Sequence, residues 1–132
     1  MADRSLRVLD TYGRTQLSLD LWKLTRCMFG EFIEAKCGRY KFQGESSFAP
    51  DLWMSPVVAE VFTGLILVDD RDQELWLSGC LSGYGGLGHE GTRQILEAEG
   101  FSTGHLDVAH NYGQFHIRKD LDEPLHVAER RQ

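Results

Sequence analysis

Residues 18–36, SLDLWKLTRCMFGEFIEAK, carry the strongest periodic signal in the chain. Leu17, Leu21, Leu24, Met28, Phe32 and Ala35 recur at spacings of three and four, and Trp22, Phe29 and Ile33 widen the same face. Asp20, Lys23, Glu31 and Glu34 lie away from it. This is the repeat of an amphipathic helix lying on a core. Ser18 suits the N-cap, Asp20 the first turn and Gly38 the C′ stop. The pattern predicts one long N-terminal helix from about residue 18 to residue 36. Its bases are too few and its acids too many for a helix lying on an anionic membrane.

Working outward, residues 5–12 place Leu6, Val8 and Asp10 in alternation and predict a short strand before Gly13 and Arg14. Residues 39–43, RYKFQ, alternate Tyr40 and Phe42 with polar neighbours, a half-buried strand. Residues 44–56 are irregular and hold two of the three prolines. Ser55-Pro56 matches an N-cap and N1 pair, so VVAEVF reads as a short helix, with its β-branched content leaving a strand open. A hairpin follows: residues 63–69 and 74–79 flank the polar turn Asp70-Arg71-Asp72-Gln73. Both arms are apolar at nearly every position, as in strands covered on both faces.

After this hairpin, residues 83–91 pack five glycines into nine positions. A helix is predicted from about residue 91 to residue 99, with Gly100 as its C′ residue and Phe101 as the apolar C″ contact. Leu106 and Val108, then Phe115 and Ile117, alternate as the arms of a second hairpin. The tail from about residue 120 is charged and expected to fray. The fold class is therefore α+β: a mainly antiparallel sheet of about five strands against one long N-terminal helix, with a shorter helix after a glycine-rich loop. The 132 residues fit a single domain, 1–132.

Twenty acids against fourteen bases give a formal charge of −6. That sign argues against duplex nucleic acid and against an anionic membrane as partners. It suits a basic protein partner, since opposite fields speed encounter, and it leaves a homo-oligomer open. Cys27, Cys37 and Cys80 form no C-x-x-C pair and are odd in number, which suits a reducing cytoplasm. The start of the chain lacks the apolar core of a signal peptide. Cys80 reads as a buried structural thiol, since residues 79–83 lack nucleophile-elbow spacing.

Two stretches carry chemistry. Gly83, Gly85 and Gly88 satisfy G-x-G-x-x-G between a predicted strand and a helix. The preceding hairpin and the short remaining chain exclude a dinucleotide fold, and no G-K-[ST] follows. What remains is a backbone-lined anion or partner site at Gly85, Gly86 and Gly88, with Tyr84 and His89 at its rim, or else a structural corner. The second hairpin places His105, Asp107, His116 and Arg118 on one polar face, an acid–base or zinc-type set. Arg118 would repel a bound cation, and a solvated strand face with paired charges is the plainer reading. No metal and no cofactor is expected. Phe48 and Trp53, in an irregular segment, suit either a core plug or an interface.

Two functions are thus expected as alternatives. One is a small acidic interaction module, of inhibitor or immunity type, on a larger basic partner. The other is a small enzyme or ligand-binding domain holding an anionic group at the glycine loop, with His105, Asp107 and His116 as acid–base residues.

Overall fold

The computed structural model describes residues 7–10, 13–40, 62–81 and 86–128. In chain order these form β1 (Arg7–Asp10), α1 (Thr15–Thr25), a short 3-10 turn (Arg26–Met28), β2 (Phe32–Tyr40), β3 (Phe62–Asp69), β4 (Glu74–Leu77), α2 (Leu87–Ala98), α3 (Thr103–Asn111), β5 (Gln114–Arg118) and β6 (His126–Ala128). The strands make one six-stranded sheet in the order β1-β4-β3-β2-β5-β6. Neighbours are antiparallel except β1 and β4, which run parallel. Among the described residues no helix is long and apolar enough to cross a membrane.

The long N-terminal helix is corrected. α1 ends at Thr25, and residues 32–40 are a strand. The apolar spacing that imitates a helix here comes from an irregularity of pairing between Phe32 and Glu34. A strand repeats every two residues, and one extra residue at a bulge makes that three. Phe32 and Ala35 therefore share the buried face, both at 0% exposure, at a spacing a helix would also give. Gly30 and the extended Phe29 separate the two elements.

The second predicted hairpin is also corrected. Residues 103–111 form α3, because Ser102 caps it: its Oγ accepts from His105 N–H, and its own N–H donates to His105 Nδ1. That reciprocal pair satisfies two otherwise orphaned N–H groups and favours helix over strand. The partners of β5 are β2 and, beyond residue 120, β6. The sheet thus has six strands rather than about five.

Other expectations hold. The β3–β4 hairpin turns at residues 70–73, and Leu65, Ile66, Leu67 and Leu75 are fully buried. α2 starts earlier than expected, at Leu87, but ends as read. Gly100, at φ 90°, sends its N–H to Glu97 O, and Phe101 N–H reaches Leu96 O. This is the paired capping geometry that favours glycine at C′. Of the expected helix at 57–62 only Phe62 is described, and it opens β3; residues 57–61 and the whole irregular segment 44–56 lie outside the described residues.

The main core lies between the sheet and the three helices. It joins Leu19, Leu21 and Trp22 of α1 to Phe32, Leu65, Leu75, Ile95, Leu96 and Phe115. The opposite sheet face is divided. Phe62, Ile66, Val68 and Trp76 form a second buried cluster there. Glu34, Lys36, His116, Arg118 and His126 lie on that face across β2, β5 and β6, by register with one another.

Candidate functional site

The parallel edge pair brings the C-terminal ends of β1 and β4 side by side. One end leads through Gly13 into α1, and the other through the glycine-rich stretch into α2. The two turns are locked together. Gly13 N–H donates to Ser78 Oγ at 2.8 Å, and Thr15 Oγ1 donates to Gly79 O at 2.7 Å. Ser18 accepts from Gly79 N–H at 2.9 Å and donates to the Asp10 carboxylate. A Cβ on Gly79 would stand 2.3 Å from the Arg14 carbonyl, so this contact requires glycine. Burial pushes the Asp10 carboxyl above the usual range, against the hydrogen bonds from Ser18 and Ser78.

The glycine-rich stretch is also closed at its base. Leu81 N–H donates to Gly88 O at 2.9 Å, and the Thr92 hydroxyl donates to Leu81 O. Gly86 is the exposed N-cap of α2 and supplies no side-chain cap. Gly88 is half-buried beneath Leu81. Tyr84 and Gly85 lie outside the described residues, as do Phe48 and Trp53.

His89 was expected at the rim of this loop and is instead buried, at 8% exposure. The reason is the earlier start of α2. His89 falls in its first turn and faces α3, where its Nε2 lies 3.1 Å from His110 Nδ1. The two rings meet edge to face, 5.0 Å between centroids. One imidazole donates and the other accepts. Whichever does so, His89 Nδ1 is left buried without a partner. Burial, then the His110 ring, pull His89 below the usual imidazole range; Glu90 acts the other way and Arg93 adds to the lowering.

A histidine lowered in the folded state contributes stability that is complete above the unfolded value and falls with pH. The contact between α2 and α3 should therefore loosen as pH drops below about 6.5, the ordinary imidazole value. Amide protection factors across residues 87–98, each corrected for the intrinsic exchange rate at its pH, should fall from pH 7 to pH 5 in the wild type. The fall should shrink in His89→Leu. An equal fall in both proteins would assign the effect elsewhere.

The structure does not assemble His105, Asp107 and His116. His105 is buried in α3, its Nδ1 accepting from Ser102 and its Nε2 donating to Leu121 O at 2.7 Å. That use of both nitrogens is structural. Asp107 is exposed on the same helix. His116 lies on β5, on the sheet face away from the helices, where its Nε2 is hydrogen-bonded to Glu34. Arg118 Nη1 approaches the other Glu34 oxygen at 3.4 Å, and Arg118 Nε pairs with Asp120 at 3.1 Å. Glu34 and His110 are the partners that sequence reasoning missed. Glu34 becomes a cross-strand neighbour of His116 only once residues 32–40 are a strand. His110 meets His89 across 21 positions with no local pattern to announce it. Among the described residues no group of three or more His, Cys, Asp or Glu could hold a metal ion.

The solvent side of α1 carries a further feature. Leu17, Leu24 and Met28 are 39%, 67% and 40% exposed. Leu17 and Leu24, seven apart, share one stripe of α1, and Met28 is exposed in the 3-10 turn that follows it. Asp20 is exposed beside it. Met28 O accepts from Gln73, and Asp70 N–H donates to Glu31 O, so the β3–β4 turn meets the chain just after α1. Asp70 and Asp72 are exposed there, while Glu31 pairs with Lys119 at 3.2 Å. Comparison with protein-family models, with curated proteins and with solved structures gives no match.

Proposed function

We propose that the chain is a small acidic interaction module, of inhibitor or immunity type, that binds a larger basic protein. The observation supporting this most directly is the exposed pair Leu17 and Leu24 of α1, with Asp20 on the same helix, exposed Met28 in the turn after it, and exposed Asp70 and Asp72 on the β3–β4 turn that meets Met28. An apolar centre rimmed by charge is the usual anatomy of a recognition surface. The formal charge of −6 gives the rim a long-range sign that steers a basic partner. Three unpaired thiols suit a reducing compartment, consistent with a cytoplasmic setting.

The test is affinity capture from cells that express the protein. The wild type should retain a basic protein that Leu24→Glu fails to retain, and about 0.5 M salt should release it. Leu125→Glu, exposed just before β6 at the sheet edge opposite β1, should capture as the wild type does. A wild type that retains nothing, or a partner held equally by Leu24→Glu, overturns the proposal.

A further inference from the structure

The three helices form a row, and α1 ends it. α2 packs against both α1 and α3, α3 lies on β5 and α1 on β4, so the row stops at the β1 edge of the sheet. The flank of α1 that meets α2 carries Leu19 and Trp22, with Arg26 just past its end. Trp22 Nε1 donates to Glu99 Oε2 at 2.8 Å, and Arg26 Nε pairs with the same oxygen at 2.8 Å. A Cβ on Gly91 of α2 would stand 4.0 Å from Leu19. Successive residues of a helix turn by about 100°. Leu17 is two residues from Leu19, and Leu24 two from Trp22, so both stand about 200° round from that flank. They face away from α2 and remain exposed, Leu24 at 67%.

Asp20 comes three residues after Leu17 and four before Leu24, and residues so spaced are neighbours on a helix surface. It is exposed. Gln16 Nε2 donates to its Oδ1 at 2.9 Å, and among the described residues no cation pairs with it. A carboxylate has room for further donors. The bare flank thus offers two apolar side chains seven apart with one acid between them, the anchor spacing with which one helix receives another. We infer that an amphipathic helix of the basic partner packs beside α1 as a fourth member of the row, setting apolar side chains against Leu17 and Leu24 and a lysine or arginine on Asp20. This rests on the reading of α1 as a recognition surface and names the element that meets it.

Charge selects this occupant over a second copy of the chain. Two-fold pairing of α1 with itself about this flank would bring the two Asp20 carboxylates together, on two chains of charge −6 each. A partner helix with a base at that position pairs with Asp20 instead. The length fits as well: the 11 residues of α1 make about three turns, enough for two anchors one heptad apart. Asp70 and Asp72 are exposed where the β3–β4 turn meets Met28, so further bases belong at that end of the partner helix.

The test is a displayed library of helical peptides about three heptads long, with leucine at two seam positions seven apart and the seam position between them randomised. Selection on the full wild-type chain should enrich lysine and arginine at that position. Selection on Asp20→Arg should enrich aspartate and glutamate there instead. Leu24→Glu should enrich nothing, and Leu125→Glu should select as the wild type does. The enriched lysine peptide should bind the wild type roughly fivefold tighter than its glutamate counterpart, the difference between an attractive and a repulsive exposed pair. It should also shift the amide NMR signals of residues 17–24. No enrichment on the wild type, the same central preference on Asp20→Arg, or equal binding by a proline-broken copy of the winning peptide overturns the inference. So does a dimer of the free chain, seen by sedimentation, that Leu24→Glu dissolves. The two readings fail separately. Capture lost in Leu24→Glu without helix enrichment keeps the recognition surface and removes the helix; enrichment without a captured basic protein keeps the helix site and removes that partner. Circular dichroism of each variant separates these results from unfolding.

Discussion

Replacing Asp69 with alanine should lower the unfolding free energy by roughly 3–5 kcal/mol, measured as a shift in urea midpoint at unchanged slope. Asp69 is 1% exposed at the end of β3. Its carboxylate accepts from Gly30 N–H at 2.8 Å, Arg71 N–H at 2.9 Å, Gln73 N–H at 2.8 Å and Gln73 Nε2 at 2.8 Å. Alanine leaves those donors facing a gap, and backbone N–H groups cannot turn elsewhere. Asp69→Asn should cost less, because one oxygen is retained while the new amide opposes a donor. A loss below about 1 kcal/mol, ordinary for a surface change, would show that the carboxylate does not hold this corner.

The same residue sets an acid dependence with a definite sign. Burial alone would raise the Asp69 carboxyl, but hydrogen bonds from Gln73, Gly30 and Arg71 outweigh it and hold the group below the usual range. A lowered carboxyl contributes stability that is full above the unfolded value and is lost as pH falls through the folded one. The difference between wild type and Asp69→Ala should therefore shrink below about pH 4, where the unfolded carboxyl begins to take up protons. Asp10 acts in the opposite sense. Its raised carboxyl costs stability as pH climbs from the unfolded value through the folded one. Because the Asp69 carboxylate holds the backbone N–H groups of Arg71 and Gln73, on either side of Asp72, its loss should loosen the turn that carries Asp70 and Asp72 as well as the fold.

Phe32→Ala should cost about 3–5 kcal/mol, whereas Leu24→Ala should stay within about 0.5 kcal/mol. On a helix spanning residues 18–36 the two would share one apolar stripe and cost alike. In the structure they part. Phe32 is fully buried in β2, with its ring centroid 5.1 Å from that of Phe29 and the Arg26 guanidinium 4.9 Å above it. Leu24 stands 67% exposed on α1. Calorimetric unfolding of the two variants decides between the arrangements, and equal losses would restore the single helix. The contrast also bears on function: a side chain that stability does not need, yet which stays apolar in solvent, is available for recognition.

Part of this was legible from local pattern. The β3–β4 hairpin followed from two apolar arms around a polar turn. The end of α2 followed from Gly100 and Phe101, since capping involves only neighbours along the chain. The start of a helix before residue 26 followed from Leu17, Leu21 and Leu24. Residues 32–40 failed because the pairing irregularity turned a period of two into a spacing of three, which a helix shares. Residues 103–111 failed because Leu106 and Val108 alternate by chance, while the deciding element was the Ser102–His105 capping pair.

The candidate sites divide along the same line. Composition, the sign of the charge, the unpaired cysteines and the glycine-rich turn between a strand and a helix are properties of the chain itself, so the residues alone determined them. Which groups meet was decided by tertiary structure. His105 was drawn into a cap, His89 was paired with His110 across two helices, and Glu34 was set beside His116 across two strands. The physical reason is that a hydrogen bond between side chains depends on distance in space, and strand register and helix packing bring together residues that no spacing along the sequence connects.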